Sequence, residues 1–303
     1  VEFDQKTNKV LETLKKHAKK TQKRLQETPL NPIAVDGEQP ISGYCIIDKV
    51  GSGGMGTVFK AQNVDTGELV AIKMLYPGHN NDPTILQQFI NEGMMLINLK
   101  HPNILKGLDF GISKGFYFLA IELVEGESLI SFIEKGFSFT EEHALRVALQ
   151  VARALVYLEK RDIVHRDIKP ANILLLGEKV KLCDLALAVE TKNLEETEST
   201  CGTVEYISPE QAQGEKTLDS RSDVYSLGIT CIHMISGKLP FEGDSGEEVM
   251  RRHIYEPINL NALGSFSPEV RKLLFGMTEK KQQDRLTATK VKEEIKTILR
   301  KRK

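Results

Sequence analysis

Apolar and polar positions change period several times along the chain. From Ile41 to about Leu75 they follow a strand pattern: "YCIIDKV", a glycine-rich turn, "TVFKAQNV", the turn "TGE" and "LVAIKML". Short strands separated by turn residues predict a β meander. At Asp82-Pro83 a helix is expected to start, with Asp as cap and Pro in the first turn, continuing through "TILQQFINEGMMLINLK". Two more strands are expected around "ILKGLDFGI" and "GFYFLAIELV", joined by Ser113-Lys114-Gly115. After "VEGESL" the character changes. Thr140 caps a long apolar helix, "EEHALRVALQVARALVYLEKR", and later helices are expected at 222–236, ended by Gly237, at 268–276 and at 287–299. The pattern predicts an α+β chain in which a small β-rich lobe with one helix precedes a larger helical lobe. The join at 122–128 is expected to be a hinge beside a cleft, where small ligands usually bind.

Ahead of this region, residues 5–27 predict a basic helix with a thin apolar stripe of Val10, Leu14, Ala18 and Leu25. Either it is a solvated helix resting loosely on the domain, the favoured reading, or it binds a partner or self-associates. A Pro-bearing linker runs to Pro40. The domain organisation expected is therefore a helix and linker at 1–40, a main domain at 41–298 (small lobe 41–122, hinge 122–128, large lobe 129–298) and a basic tail at 299–303.

Composition narrows the class of function. The net charge of -1 gives no basic field for nucleic acid. No apolar run reaches the roughly 18 residues that span a bilayer, and residues 1–28 lack the apolar core of a secretory signal. Cys45, Cys183, Cys201 and Cys231 show no metal-ligand or redox spacing. Free thiols in a cytoplasmic protein are the simplest expectation. The chain begins with Val1, which leaves room for a longer parent protein.

Four motifs carry candidate chemistry. Gly51, Ser52, Gly53, Gly54 and Gly56 form a GxGxxG run ending in Val58, whose backbone can approach phosphate oxygens and donate N–H groups to them. A dinucleotide fold would need a helix next. The strand pattern that follows fits a flap over a nucleotide instead. In "VAIK", alternation puts Leu69, Ala71 and Lys73 on one face: a small residue that admits a flat base, and an amine that can reach phosphates. Glu92, on the first helix, is placed to pair with Lys73 and orient it. The most specific run is "VHRDIKPANILL". There Asp167 could accept a hydroxyl proton, Lys169 could stabilise a transferring phosphoryl group, and Asn172 could hold a metal ion.

With these motifs in this order, and with "HPNIL" and "SPEQA", the chain resembles the protein Ser/Thr kinase family, in particular its bacterial (Hanks-type) branch, from about Tyr44 to the last helix. The resemblance implies a bilobal kinase fold, with ATP and Mg²⁺ or Mn²⁺ as cofactors and Ser/Thr hydroxyls of proteins as acceptors. It implies that Gly51, Gly53 and Gly56 cover the ATP phosphates and that Val58 and Ala71 sandwich the adenine. Ile121 then precedes hinge residues Glu122, Leu123 and Val124, whose backbone binds the adenine edge. Lys73 holds the α/β-phosphates, Asp167 is the base, and Asn172 and Asp184 are metal ligands. Thr203 is expected to bond Asp167 and Lys169. Structural roles are implied for Glu210 with Arg285, for Asp223 beneath the catalytic loop, and for His165 as a core residue.

Two questions stay open in the sequence. Arg166 and the segment 184–210 suggest control by phosphorylation, with Thr197, Ser199 and Thr200 as acceptors. Members of the family usually read Asp-Phe-Gly where this chain has Asp184-Leu185-Ala186. The alternatives are an active kinase, a nucleotide-binding scaffold without catalysis, and a dinucleotide oxidoreductase resting on the glycine run alone. All six charged or metal-binding groups are present, which favours the first. Leu185 can fill the usual Phe slot. Ala186 is expected to stiffen the turn, because alanine lacks glycine's freedom at positive φ. Cys183, beside Asp184, is either a buried small residue or a thiol facing the nucleotide pocket.

Overall fold

The computed structural model describes residues 39–302 except Ser138 and residues 192–201. The helix expected at 5–27 and the acceptors Thr197, Ser199 and Thr200 lie outside the described residues. The chain divides into two units, one ending at Val124 and the other resuming at Glu125, with His101–Ile104 belonging to the second.

The first unit is an antiparallel sheet of β1 (Tyr44–Ser52), β2 (Gly56–Asn63), β3 (Leu69–Leu75), β4 (Gly107–Ser113) and β5 (Phe116–Glu122), in the order β1-β2-β3-β5-β4. Alternation sorts its faces. Phe59, Ala61, Val70, Ile72, Met74 and Ala120 join Ile41 and Tyr44 in one core, while Val58, Ala71, Lys73 and Ile121 share the other face through the pairs Val58↔Lys73 and Ala71↔Ile121. Helix α1 (Pro83–Asn98) is capped as expected, Asp82 accepting from the Thr84 and Ile85 N–H groups. It buries Phe89, Glu92, Gly93 and Leu96. Gly93 is required there: a Cβ would meet the Phe110 ring at 2.3 Å.

The second unit begins with β6 (Glu127–Ser128), α2 (Leu129–Glu134) and α3 (Glu141–Glu159), then β7 (Ile163–Val164), a 3-10 turn at Pro170–Asn172, β8 (Ile173–Leu176), β9 (Lys179–Leu182) and β10 (Val189–Glu190). Helices α4 (Pro209–Ala212), α5 (Ser220–Ser236), α6 (Gly246–Tyr255), α7 (Leu260–Leu263), α8 (Pro268–Met277) and α9 (Ala288–Lys301) follow. Thr140 caps α3, which buries a wide stripe from Ala144 to Leu158. Helix α5 is buried on every side and ends at Gly237 in the left-handed region, φ 68°. It starts two residues earlier than its apolar pattern suggests, because Asp219 caps it. Helix α9 runs to Lys301, so Arg300 and Lys301, two of the four basic residues placed in a tail, form its last turn, where cations complement the helix dipole.

Candidate active site

In the first unit the glycine run is a strand–loop–strand hairpin closed by a Gly53 N–H bond to the Gly56 carbonyl, 2.9 Å. This topology removes the helix a dinucleotide fold would need. A Cβ on Gly56 would lie 2.0 Å from the Met74 carbonyl oxygen, so that glycine is fixed by β3. Around Gly51, Gly53 and Gly54 a Cβ would meet nothing within 4 Å. Packing within the chain therefore explains Gly56 alone, and the other three suit close approach by a ligand. Ser52 is exposed beside them.

Lys73 Nζ donates to Glu92 Oε2 at 2.6 Å, with both side chains largely buried. Strand β3 aims the lysine away from the sheet core, and α1 brings Glu92 to meet it. At the end of β5, the Glu122 N–H bonds the Lys106 carbonyl at 2.9 Å, and its carboxylate accepts the Lys106 N–H at 2.7 Å. Val124 closes this unit.

The second unit gathers Asp167, Lys169, Asn172 and Thr203. Asp223 lies beneath them, its two carboxylate oxygens accepting the His165 and Arg166 N–H groups at 2.8 Å each. Burial pushes the Asp223 carboxyl up, against the pull of His165, those N–H bonds and Arg166. Arg166 sits at φ 69°, a strained geometry that these bonds hold in place. His165 is fully buried, and its Nδ1 accepts the Asp167 N–H at 3.4 Å. Both oxygens of Asp167 are engaged. Oδ1 accepts the Thr203 N–H at 3.1 Å and its hydroxyl at 2.9 Å; Oδ2 accepts Asn172 Nδ2 at 2.9 Å and faces Lys169 Nζ at 2.7 Å. Lys169 also donates to the Thr203 hydroxyl. Carboxylate, ammonium and hydroxyl thus form a closed triangle.

The Asn172 amide nitrogen is spent on Asp167, which leaves its carbonyl oxygen as the atom that could hold a metal ion. The Cys183 N–H bonds the Asn172 backbone carbonyl at 2.9 Å, and this tie sets Asp184 next in chain to the Asn172 loop. One carboxylate and one amide oxygen fit Mg²⁺, which keeps several waters and takes its remaining ligands from phosphates. The Cys183 thiol is half-buried and donates to the same carbonyl at 3.3 Å.

Leu185 is fully buried. The residue at positive φ in this turn is Asp184, φ 60°, and Ala186 is not in the left-handed region. Alanine therefore fits without backbone strain, and its N–H points to Asp184 Oδ1 at 3.4 Å. Ala186→Gly is expected to lower stability by about 0.4–1 kcal/mol, by loosening the unfolded chain, and to leave kcat unchanged. Thermal melts and steady-state rates check both; a large gain in kcat would show that stiffness of this turn limits the reaction.

Some supporting residues escaped the sequence reading. Gln211 Nε2 donates to the Arg166 carbonyl at 2.9 Å, and Ser208 with Gln211 forms a capping box at the start of α4. The Ser-x-x-Gln spacing was its visible signal. His253 and His233, buried behind the 203–206 turn, carried none.

A model of the protein kinase domain matches residues 44–295, and the chain belongs to that family. Among bacterial relatives, serine/threonine-protein kinase PrkC of Bacillus subtilis is 35% identical over 219 residues, 71% of this chain and 34% of that protein. Serine/threonine-protein kinase PknA of Mycobacterium tuberculosis is 38% identical over 216 residues, 69% of this chain and 50% of that protein. Serine/threonine-protein kinase pkn3 of Myxococcus xanthus is 31% identical over 277 residues, 86% of this chain and 50% of that protein. The chain thus spans between a third and a half of the length of these relatives. Among the described residues no helix is long and apolar enough to cross a membrane.

Proposed function

We propose that this chain is an ATP-dependent protein Ser/Thr kinase domain, and that it works through the side chains just described. The observation that carries the reading is the closed triangle of Asp167, Lys169 and Thr203. The acceptor hydroxyl enters at this triangle. Its proton passes to Asp167 as its oxygen bonds the γ-phosphorus; the bridging P–O bond breaks and its electrons leave with ADP. Lys169 stabilises charge on the phosphoryl oxygens, and Lys73, held by Glu92, binds the α/β-phosphates. Gly51, Ser52, Gly53, Gly54 and Gly56 cover those phosphates, Val58 and Ala71 face the base, and the backbone of Glu122 and Val124 reads its edge. A divalent ion at Asn172 and Asp184 supplies neutralisation of phosphate charge; Mg²⁺ is the assignment and Mn²⁺ the alternative. Proteins bearing Ser or Thr are the substrates, and the chain acts in the cytoplasm. Residues 5–27, for which the sequence predicts a helix, are proposed as a partner or self-association element.

The test is transfer of labelled γ-phosphate from ATP to protein with Mg²⁺ or Mn²⁺. Transfer is expected in the wild type and absent in Asp184→Asn. Nucleotide binding with no transfer would instead support a scaffold. Activity is further proposed to rise on phosphorylation at Thr197, Ser199 or Thr200, with the nearly buried Arg166 beside Asp167 as the receiving cation. Phosphopeptide mapping of wild type and Asp167→Asn is expected to find these sites occupied only in the former; equal occupancy would exclude autophosphorylation.

A further inference from the structure

Residues 203–206 form a tight turn, closed by the Tyr206 N–H bond to the Thr203 carbonyl at 2.9 Å. Its first residue, Thr203, is tied to Asp167 and Lys169. Its far end is held by two buried histidines from other parts of the unit. His253, in the last turn of α6 and fully buried, meets the Glu205 carbonyl through Nε2 at 3.2 Å. His233, near the end of α5, meets the Tyr206 hydroxyl through Nδ1 at 2.8 Å.

The chain behind His253 has a definite polarity. Lys280 Nζ donates to the Tyr225 hydroxyl oxygen at 3.3 Å, and to the carbonyls of His253 at 2.7 Å and Arg252 at 3.5 Å. With an ammonium donating to its oxygen, Tyr225 points its own proton at His253 Nδ1, 2.9 Å away. His253 Nδ1 is then an acceptor, its proton sits on Nε2, and Nε2 donates to the Glu205 carbonyl. Burial first, and then Lys280, pushes the His253 pKa down to about 3, so this neutral tautomer persists across the physiological range. The Phe241 ring packs edge-on against His253 at 5.0 Å.

We infer that His253, backed by Tyr225 and Lys280, is a positioning residue for the acceptor: it fixes the Glu205 backbone and thereby the strip on which the protein substrate lies beside Asp167. This rests on the kinase reading above. The His253 link acts on the substrate strip and touches none of the groups assigned to ATP. A strip released from the Glu205 link holds the acceptor less tightly. Loss of the link is therefore expected in the KM for the protein acceptor, with the KM for ATP unchanged.

The experiment measures transfer to myelin basic protein by wild type, His253→Ala, His253→Gln and Tyr225→Phe, with each substrate varied in turn. His253→Ala is expected to raise the acceptor KM by roughly five- to ten-fold, the equivalent of one lost hydrogen bond. His253→Gln, whose amide can donate from the Nε2 position, is expected to recover most of it. Tyr225→Phe keeps the ring and removes only the hydroxyl, and is expected to shift the acceptor KM in the same direction. If both His253→Ala and Tyr225→Phe keep the wild-type acceptor KM, the inference is overturned while the kinase reading stands. A rise in both KM values together with an early melting transition would reduce His253 to a structural residue and overturn it as well. Absence of transfer in the wild type itself fails the kinase reading, and the inference with it.

Discussion

Asp167→Asn is expected to lower kcat by about 10³-fold or more while leaving the KM for ATP close to the wild-type value. Loss of a general base alone costs about 10²–10⁴. The surroundings push the effect upward. Both carboxylate oxygens accept: Thr203 donates to one through its N–H and hydroxyl, and Asn172 and Lys169 stand at the other. An Asn amide must turn its NH₂ towards one of these sets of donors, so it sets donor against donor. The Lys169 ammonium also loses its anionic partner at 2.7 Å. An acceptor hydroxyl would then meet no base, and the 203–206 turn loses its anchor on Asp167. Single-turnover transfer at saturating ATP is the measurement. A fall of less than about ten-fold would remove Asp167 from the base role, since that lies below the range for positioned proton transfer.

Residues at fixed short spacing were the most legible part of this site. Asp167, Lys169 and Asn172 lie in one loop, and Lys73 follows the glycine hairpin in a strand whose faces alternate, so position follows from local geometry. The cap at Asp82-Pro83, the turn at Lys114-Gly115 and the stop at Gly237 were legible for the same reason. Helix α6 was not. It buries only Val249 and His253, and a helix with one buried apolar residue leaves almost no periodic signal. The network around His253 was hidden as well, because its partners Glu205, Tyr225 and Lys280 come from three distant segments. The turn after Cys183 illustrates another limit. The sequence identified which residue departs from the family spelling, Ala186, but the positive φ belongs to Asp184, and that depends on the bonds around the loop.

The largest expected effect on stability is at Arg285. All five of its N–H donors are used: two reach Glu210 Oε1 and Oε2 at 2.6 and 2.9 Å, and three reach the carbonyls of Glu279, Arg221 and Lys280. Its guanidinium also lies 5.0 Å from the Tyr225 ring centre. Both members of the ion pair are almost wholly buried, with side-chain exposures of 0% and 3%. Removing one partner of such a pair leaves an uncompensated buried charge, so Arg285→Ala is expected to cost about 3–5 kcal/mol. Arg285→Lys is not expected to restore it, because an ammonium cannot reproduce the planar fork. The pH dependence follows from Glu210. Burial pushes its carboxyl up, but the Arg285 bonds and the Ser222 hydroxyl outweigh burial and hold it below its ordinary 4.5. A depressed carboxyl contributes fully above that ordinary value and loses its contribution as pH falls through the lowered folded value. The wild type is therefore expected to keep this stabilisation from pH 5 upward and to lose it in acid. Urea unfolding of wild type and Arg285→Ala at pH 7 and pH 4 measures the difference. A loss below about 1 kcal/mol at pH 7 would place the pair among the weak, solvent-screened bridges of protein surfaces, contrary to its burial.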